Sequence, residues 1–171
     1  MDCVGWVMHQ CRPIRAAALI DRWQWVHHAS GVGGRNHIPR DPIMAIRIVR
    51  LGTPRLAGEG LRIGTVRRPP RGVVKGEYAS KNYYDVWLPA LAPTPGLVKL
   101  ALAAESPQDW KRFVTKYRRE MAATTESTTL DTLAALSRQT DFSVGCYCAD
   151  ESRCHRSVLR QLLIERGASV L

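Results

Sequence analysis

The 171-residue sequence has no apolar run near the length of about 20 residues that a membrane-spanning helix needs. We also expect no secretory leader, because Arg12, Pro13 and Arg15 interrupt the apolar residues near the start of the sequence and no cleavage-type site follows. We therefore expect a cytoplasmic protein in a reducing compartment, with no membrane partner.

Several catalytic and nucleotide-binding signatures are absent as well. The sequence contains no Gly-rich dinucleotide fingerprint, no P-loop and no Gly-x-Ser-x-Gly nucleophile elbow. The Cys-x5-Arg signature of cysteine phosphatases fails, since the sixth residue after Cys146 is Ser152 and the sixth after Cys148 is Cys154. These absences disfavour the corresponding enzyme classes and leave the reaction unnamed.

Acidic residues are scarce relative to basic ones. The chain has 15 Asp and Glu against 25 Lys and Arg, a formal net charge of +10. The imbalance is concentrated in residues 47–81, which carry nine basic residues and two acidic ones. Such a concentration favours contact with an anionic small molecule, a nucleotide or a nucleic acid, and the alternative is a solvated basic surface.

Part of this charge lies on a stiff loop, Arg67-Arg-Pro-Pro-Arg-Gly72. The two prolines exclude a helix interior and keep the backbone extended, so that the arginines are displayed at the end of a strand. Guanidinium groups match phosphate and carboxylate bidentately. Arg67, Arg68 and Arg71 are therefore candidate ligand-binding residues, unless the loop is only a solvated charge run.

The apolar pattern predicts an α/β protein. Strand patterns alternate with helical periodicity, which implies a parallel sheet. The predicted strands are 46–50, 61–66 and 142–147, and the predicted helices begin after Thr94, at Ser106, at Thr128 and near Cys154. Residues 168–171 are a candidate last edge strand.

These elements define the predicted domain organisation. Residues 44–171 are expected to form a single compact α/β domain of three-layer type, with a small parallel sheet flanked by helices. Residues 1–43 show no sustained period, and we expect an N-terminal extension that is either a disordered arm or sequence upstream of a native start at Met44.

Residues 142–166 hold the main candidate site. Three of the five cysteines lie here (Cys146, Cys148 and Cys154), on a predicted strand and at the start of the helix that follows it. A strand that leads into a helix through a polar turn is where open α/β sheets bind ligands. An odd number of unevenly spaced cysteines suits thiol or metal chemistry better than a disulfide framework.

The residues themselves leave four interpretations open. In the first, the helix N-terminus, Arg156, Ser157 and the arginine loop bind a phosphate or carboxylate. In the second, Cys154 is a thiol nucleophile or redox centre beside His155 and Arg156, with Cys146 or Cys148 able to resolve it.

The third interpretation is a zinc or iron site formed by four ligands: Cys146, Cys148, Cys154 and His155. Their spacing, Cys-x-Cys-x5-Cys-His, is not that of a standard zinc finger. The fourth is structural, with buried cysteines acting as small apolar side chains and His155 as a capping residue.

Four stretches in order resemble the DUF488 (YeaO-like) family, small bacterial and archaeal proteins of unknown function. They are Ile63-Gly-Thr-Val-Arg-Arg-Pro-Pro-Arg-Gly72, Tyr84-Asp-Val-Trp-Leu-Pro-Ala-Leu-Ala-Pro-Thr94, Trp110-Lys-Arg-Phe-Val-Thr-Lys-Tyr-Arg-Arg-Glu-Met121 and the Cys146…Cys154-His155-Arg156 segment. The resemblance covers about residues 45–171 and implies a compact α/β domain marked by a Cys/His/Arg loop. Some relatives carry a carboxylate near the position of Cys148, and the cysteine here favours metal or redox chemistry.

From these observations we expect a basic cleft at the carboxyl ends of the strands that binds a phosphate- or carboxylate-bearing ligand. Arg67, Arg68 and Arg71 would bind the anion, and Cys154, His155 and Arg156 would line its reacting end. A metal-binding protein and a non-catalytic nucleic-acid-binding module are the alternatives.

Overall fold

The computed structural model describes residues 44–171, and the extension predicted for residues 1–43 lies outside this range. Within this range, four β-strands, four α-helices and two short 3-10 turns follow one another. They are β1 (Ile46–Arg50), β2 (Leu61–Gly64), a turn at Lys75–Glu77, β3 (Val86–Trp87), a turn at Pro89–Leu91, α1 (Pro95–Leu102), α2 (Pro107–Glu120), α3 (Thr124–Leu136), β4 (Phe142–Cys146) and α4 (His155–Glu165).

The strands form one parallel sheet in the order β1-β4-β2-β3. All five residues of β4 are buried, because this strand has a neighbour on each side. Ile48 of β1 and Ile63 of β2 both pair with Val144 of β4. The predicted α/β class and parallel sheet are confirmed. Because the strands are parallel, the carboxyl ends of β1, β2 and β4 lie at one edge of the sheet, and Cys146 is there.

The two faces of the sheet are covered differently. Ile46, Phe142 and Val144 belong to one apolar core that also contains buried apolar side chains from each of the four helices. On the other face, loop residues take the place of helices: Leu51 packs where a side chain on Gly145 would lie, and Tyr84 does the same at Gly64. A Cβ atom at Gly64 would stand 2.4 Å from the Tyr84 ring, so this close approach requires glycine.

Helix termini follow the local sequence in three cases and depart from it in one. Ser106 forms the predicted capping box with Asp109, Thr94 precedes the proline that opens α1, and Gly167 ends α4 with a φ of 76°. The predicted start of α3 at Thr128 is wrong, since the helix begins four residues earlier at Thr124. The Thr128 hydroxyl donates to the Thr124 carbonyl inside the helix instead of capping its end.

At the C-terminus, the expected edge strand over residues 168–171 is reduced to a single bridge. Val170 pairs in parallel with Ile46 of β1. None of the helices between residues 44 and 171 combines the length and the apolar character that a membrane crossing requires.

The loops that cover the second face of the sheet, which we call the loop layer, are held to the sheet by a buried ion pair. Glu59 and Arg62 are 2% and 0% exposed, and Nε of Arg62 donates to Oε1 of Glu59 across 2.6 Å. The same guanidinium donates to the carbonyls of Thr53 and Asn82, and the hydroxyl of Ser143 donates to Glu59. Two loops and the central strand β4 are therefore joined through one ion pair. Its charged groups have hydrogen-bond partners, without which a buried charge would destabilise the fold.

Candidate functional site

Three thiols converge at the carboxyl end of the central strand. Cys146 ends β4, Cys148 lies two residues further on, and Cys154 is the residue before the first turn of α4. Their Sγ atoms all lie within 4.8 Å of one another, and those of Cys146 and Cys148 are 3.7 Å apart. We call these residues the cysteine cluster. Cys146 and Cys154 are buried, whereas Cys148 is exposed.

The loop that brings Cys154 back to the strand end has its own local bonds. Asp150 accepts hydrogen bonds from the backbone and hydroxyl of Ser152, and the N–H of Cys154 donates to the carbonyl of Glu151. Glu151 also pairs with Arg160 of α4 across 2.9 Å. These short-range contacts explain how the five residues of the polar loop, 149–153, return the chain to the helix start.

His155 lies beside the cysteine cluster in a defined orientation. Its Nε2 atom is 2.8 Å from the carbonyl oxygen of Thr65, and since a carbonyl only accepts, Nε2 carries the hydrogen. Nδ1 is then the atom with a free lone pair in the neutral ring, and it lies 3.7 Å from Sγ of Cys154. Among residues 44–171, the group of mutually close ligand atoms consists of the three sulfurs and does not include this nitrogen.

Arg156 and Ser157, two further predicted site residues, lie behind the cluster. Arg156 is 3% exposed, and its Nη2 donates to the carbonyl of Cys148 across 2.8 Å, while its Nε has no partner. The Ser157 hydroxyl donates to the carbonyl of Cys154. Neither is among the residues that line the adjoining cleft. Arg156 therefore holds Cys148 in place and supplies positive charge to the cysteine cluster from outside the cleft lining.

A cleft of about 440 Å³ opens in front of the cysteine cluster. Its lining brings together the predicted arginines of the strand-end loop, the three cysteines and His155. Also lining it are residues from α1, from α2 and from the segment before α1, which sequence reasoning did not connect to the site. The full lining is Val66, Arg67, Arg68, Arg71, Pro93, Pro95, Val98, Lys99, Ala101, Leu102, Phe113, Cys146, Tyr147, Cys148, Arg153, Cys154 and His155.

The three predicted arginines are not equivalent. Arg67 is half-buried, and its guanidinium donates to the carbonyls of Ala92 and Pro93, with a distance of 3.0 Å from Nε to the latter. Arg68 and Arg71 are exposed, and the backbone carbonyl of Arg68 accepts from the Tyr147 hydroxyl. Arg67 therefore fixes the loop to the segment before α1, which leaves Arg68 and Arg71 as the freer cations.

The opposite wall of the cleft, formed by α1, is mostly apolar. Val98, Ala101 and Leu102 lie on one side of α1 at helical spacing, and Leu102 is 82% exposed. Lys99 from the same helix and Arg153 from the cysteine loop add positive charge. The guanidinium of Arg153 lies 5.4 Å from the ring centroid of Trp110. The apolar spacing in α1 was visible in the sequence, but it predicts core contact as readily as a cleft wall.

Comparison with known proteins identifies the family. Residues 46–167 match the family DUF488-N3a, described as the "Active DUF488-N3 subclade". The chain belongs to the DUF488 family. No curated protein and no solved structure matches the chain. The match confirms the resemblance found in the sequence, and the DUF488 segment includes every residue that lines the cleft.

In this DUF488 domain the three thiols of the cysteine cluster have different pKa values. Hydrogen bonds from Cys146 and Cys154 lower the pKa of Cys148, and the nearby Arg156 charge acts in the same direction. The hydrogen bonds to Cys148 and Cys154, together with burial, raise the pKa of Cys146. The pKa of Cys154 is lowered, first by the hydrogen bond with Cys146 and also by His155. These shifts favour the thiolate form at Cys148 and Cys154 over Cys146.

Proposed function

We propose that the cleft binds a small phosphate- or carboxylate-bearing ligand and presents it to the cysteine cluster. The observation that carries this proposal is that cationic side chains and all three thiols line one cavity of about 440 Å³. This volume lies within the range of roughly 300–1,000 Å³ that is typical of small-molecule sites.

The charge of the lining supports an anionic ligand. Four arginine or lysine side chains besides Arg67 reach the cleft, and no Asp or Glu from residues 44–171 belongs to its lining. The four are Arg68, Arg71, Lys99 and Arg153. Because no carboxylate neutralises these cations within the cleft, an anionic group on the ligand supplies the missing partner.

The α1 wall supports a ligand that also has an apolar part. Val98 and Leu102 are exposed, although both lie against the cleft. Burying such side chains stabilises a complex by removing apolar surface from water. An anion with an apolar body would bury this wall while its charged group meets Arg68 and Arg71.

The cysteine cluster supports a reactive role for the inner end of the cleft. Cys148 is exposed to the cleft, and its lowered pKa favours the thiolate, which is the form of cysteine that attacks electrophiles and that binds metal ions. The matched family is described as the active subclade. The function favoured by this arrangement is chemistry on a bound anion that depends on the cysteine cluster.

The first experiment is calorimetric titration of the purified chain with inorganic phosphate, octyl phosphate and a short single-stranded oligonucleotide. We expect octyl phosphate to bind more tightly than phosphate, and Arg71→Gln to weaken both by about tenfold, as loss of one charge-assisted hydrogen bond would. The matched control is Arg119→Gln, an exposed arginine of α2 outside the cleft lining, which should leave both affinities unchanged.

Two outcomes would contradict the proposal. Absence of binding by either phosphate probe would remove the small anionic ligand. Tight binding of the oligonucleotide alone, with steep salt dependence and an equal loss in the Arg71 and Arg119 variants, would replace it with a nucleic-acid-binding module.

A further inference from the structure

We propose that the cysteine cluster is a zinc site with three thiolate ligands, Cys146, Cys148 and Cys154, and a fourth coordination position that opens into the cleft. The identity of the fourth ligand, an oxygen of the bound anion, rests on the proposed function. The three-thiolate site itself does not, because it follows from the sulfur positions alone.

The sulfur separations fit a tetrahedral ion. A Zn–S bond of about 2.3 Å places two sulfurs of one tetrahedron about 3.8 Å apart. The Cys146 and Cys148 sulfurs are 3.7 Å apart, and Cys154 completes a group with no pair beyond 4.8 Å. A disulfide would need about 2 Å and would use only two of the three sulfurs. Thiolates are soft ligands, which select zinc over the oxygen-binding magnesium and calcium ions.

The ligands are held by rigid parts of the fold. Cys146 ends the central strand, and Cys154 directly precedes α4, so both positions are set by buried backbone. Cys148 lies outside regular structure, but its carbonyl accepts a hydrogen bond from the buried Arg156. A site whose ligand positions are fixed before binding loses less conformational entropy when the ion enters.

The charge balance of such a site is also satisfied. Three cysteine thiols release their protons to solvent as the sulfur–metal bonds form, so that the three thiolates and one Zn²⁺ leave a single net negative charge. Arg156, which is 3% exposed, has an unpartnered Nε and contacts the Cys148 carbonyl, supplies the compensating positive charge.

The fourth position distinguishes this site from the four-ligand set predicted from the sequence. The His155 imidazole donates Nε2–H to Thr65, and its Nδ1 reaches Cys154 at 3.7 Å without joining the three-sulfur group. The cysteines themselves line the cleft, together with Arg68 and Arg71. Three protein ligands with an accessible fourth position are the arrangement of catalytic zinc sites, whereas structural sites are closed by four.

The first test is titration of the reduced, full-length chain with Co²⁺, a spectroscopic probe for zinc sites, in a Cys3→Ser/Cys11→Ser background. This background removes the two cysteines outside the cluster. We expect a thiolate-to-cobalt charge-transfer band that saturates at one ion per chain and is abolished by added Zn²⁺ but not by Mg²⁺. Adding Cys148→Ser should weaken binding by more than the roughly 100-fold that loss of an outer-shell partner costs. This side chain is exposed, so its replacement leaves the core intact.

A second titration tests the open position, with inorganic phosphate added to the cobalt-loaded protein. We expect the visible cobalt bands to shift, and the shift to require more phosphate in Arg71→Gln. Unchanged bands, together with loss of cobalt affinity in His155→Gln, would show that His155 is the fourth ligand and overturn the open site. Absence of any thiolate–cobalt band would overturn the zinc site altogether, whereas continued phosphate binding to the metal-free chain would leave the proposed function standing.

Discussion

The imidazole of His155 donates its Nε2 hydrogen to the carbonyl oxygen of Thr65 across 2.8 Å. Thr65 directly precedes the segment that carries the arginine loop, and His155 follows Cys154 at the start of α4. This bond therefore joins the basic wall of the cleft to the cysteine cluster. Both residues are buried, so water does not replace the bond if it is lost.

His155→Ala should destabilise the protein. It leaves the buried Thr65 carbonyl without a donor, which costs about 1–3 kcal/mol in the free energy of unfolding, measured by urea denaturation. Ser157→Ala is the matched control in the first turn of the same helix, because its hydroxyl bonds only within that turn, to Cys154. Equal stability losses in the two variants would contradict a specific role for the His155–Thr65 bond.

Glu59→Gln, a substitution of a buried carboxylate, should destabilise the protein strongly. It leaves the guanidinium of Arg62 buried without its counter-charge, for which the expected cost is about 3–5 kcal/mol. Glu77→Gln is the control, since the Glu77–Lys81 pair is about half exposed and such pairs contribute at most about 1 kcal/mol. A loss at Glu59 no larger than that at Glu77 would show that the buried pair does not hold the loop layer.

Acid stability should depend on the same residue. Burial alone would raise the pKa of Glu59, but hydrogen bonds from Arg62, Ser143 and the Leu56 N–H lower it from 4.5 to about 2. A depressed pKa contributes stability that is present above the unfolded-state value and is lost as pH falls from about 4.5 through about 2. Thermal melts across this window should show a flatter pH dependence for Glu59→Gln than for the unmodified chain. Parallel slopes would assign the acid sensitivity to other carboxylates, such as Asp85, whose pKa is also lowered.

Leu102→Ser should change ligand preference without changing stability. Leu102 is 82% exposed, so its replacement should alter the free energy of unfolding by no more than about 0.5 kcal/mol. The affinity for octyl phosphate should fall several-fold, because about 1 kcal/mol of apolar burial is lost, while that for inorganic phosphate stays constant. Ile164→Ser, which changes an exposed apolar residue of α4 outside the cleft, is the control for both titrations. An equal effect on both ligands would exclude the α1 wall from the binding site.

Alkylation should follow the exposure of the thiols. In reduced, chelator-treated protein, iodoacetamide should modify Cys148 before Cys146 and Cys154, because the first is exposed and the other two are buried. Peptide mapping by mass spectrometry at successive times gives the order, and the same reaction in urea should remove the difference. Earlier labelling of Cys154 would show that the cluster opens from the helix side.

The sequence was sufficient for elements whose signals are local. The alternation over Ile46–Arg50 and the Ser106 capping box predicted β1 and the start of α2, because both depend on residues within a few positions of one another. The start of α3 was wrong because a threonine hydroxyl bonds equally well at a helix terminus or back to a carbonyl one turn earlier. Only the neighbouring structure decides between these two bonds.

The cysteine, histidine and arginine candidates were recognisable from residue type and from their places at strand ends and a helix start. Parallel strands bring such ends to one edge, which is why a basic site near the cysteines could be expected from the sequence. Which side chains face the cleft was decided by tertiary structure: Arg67 is held by the carbonyls of Ala92 and Pro93, and Arg156 lies behind the cluster. The α1 wall and the Glu59–Arg62 pair were likewise fixed only by packing, because contacts between distant segments leave no periodic signal in the chain.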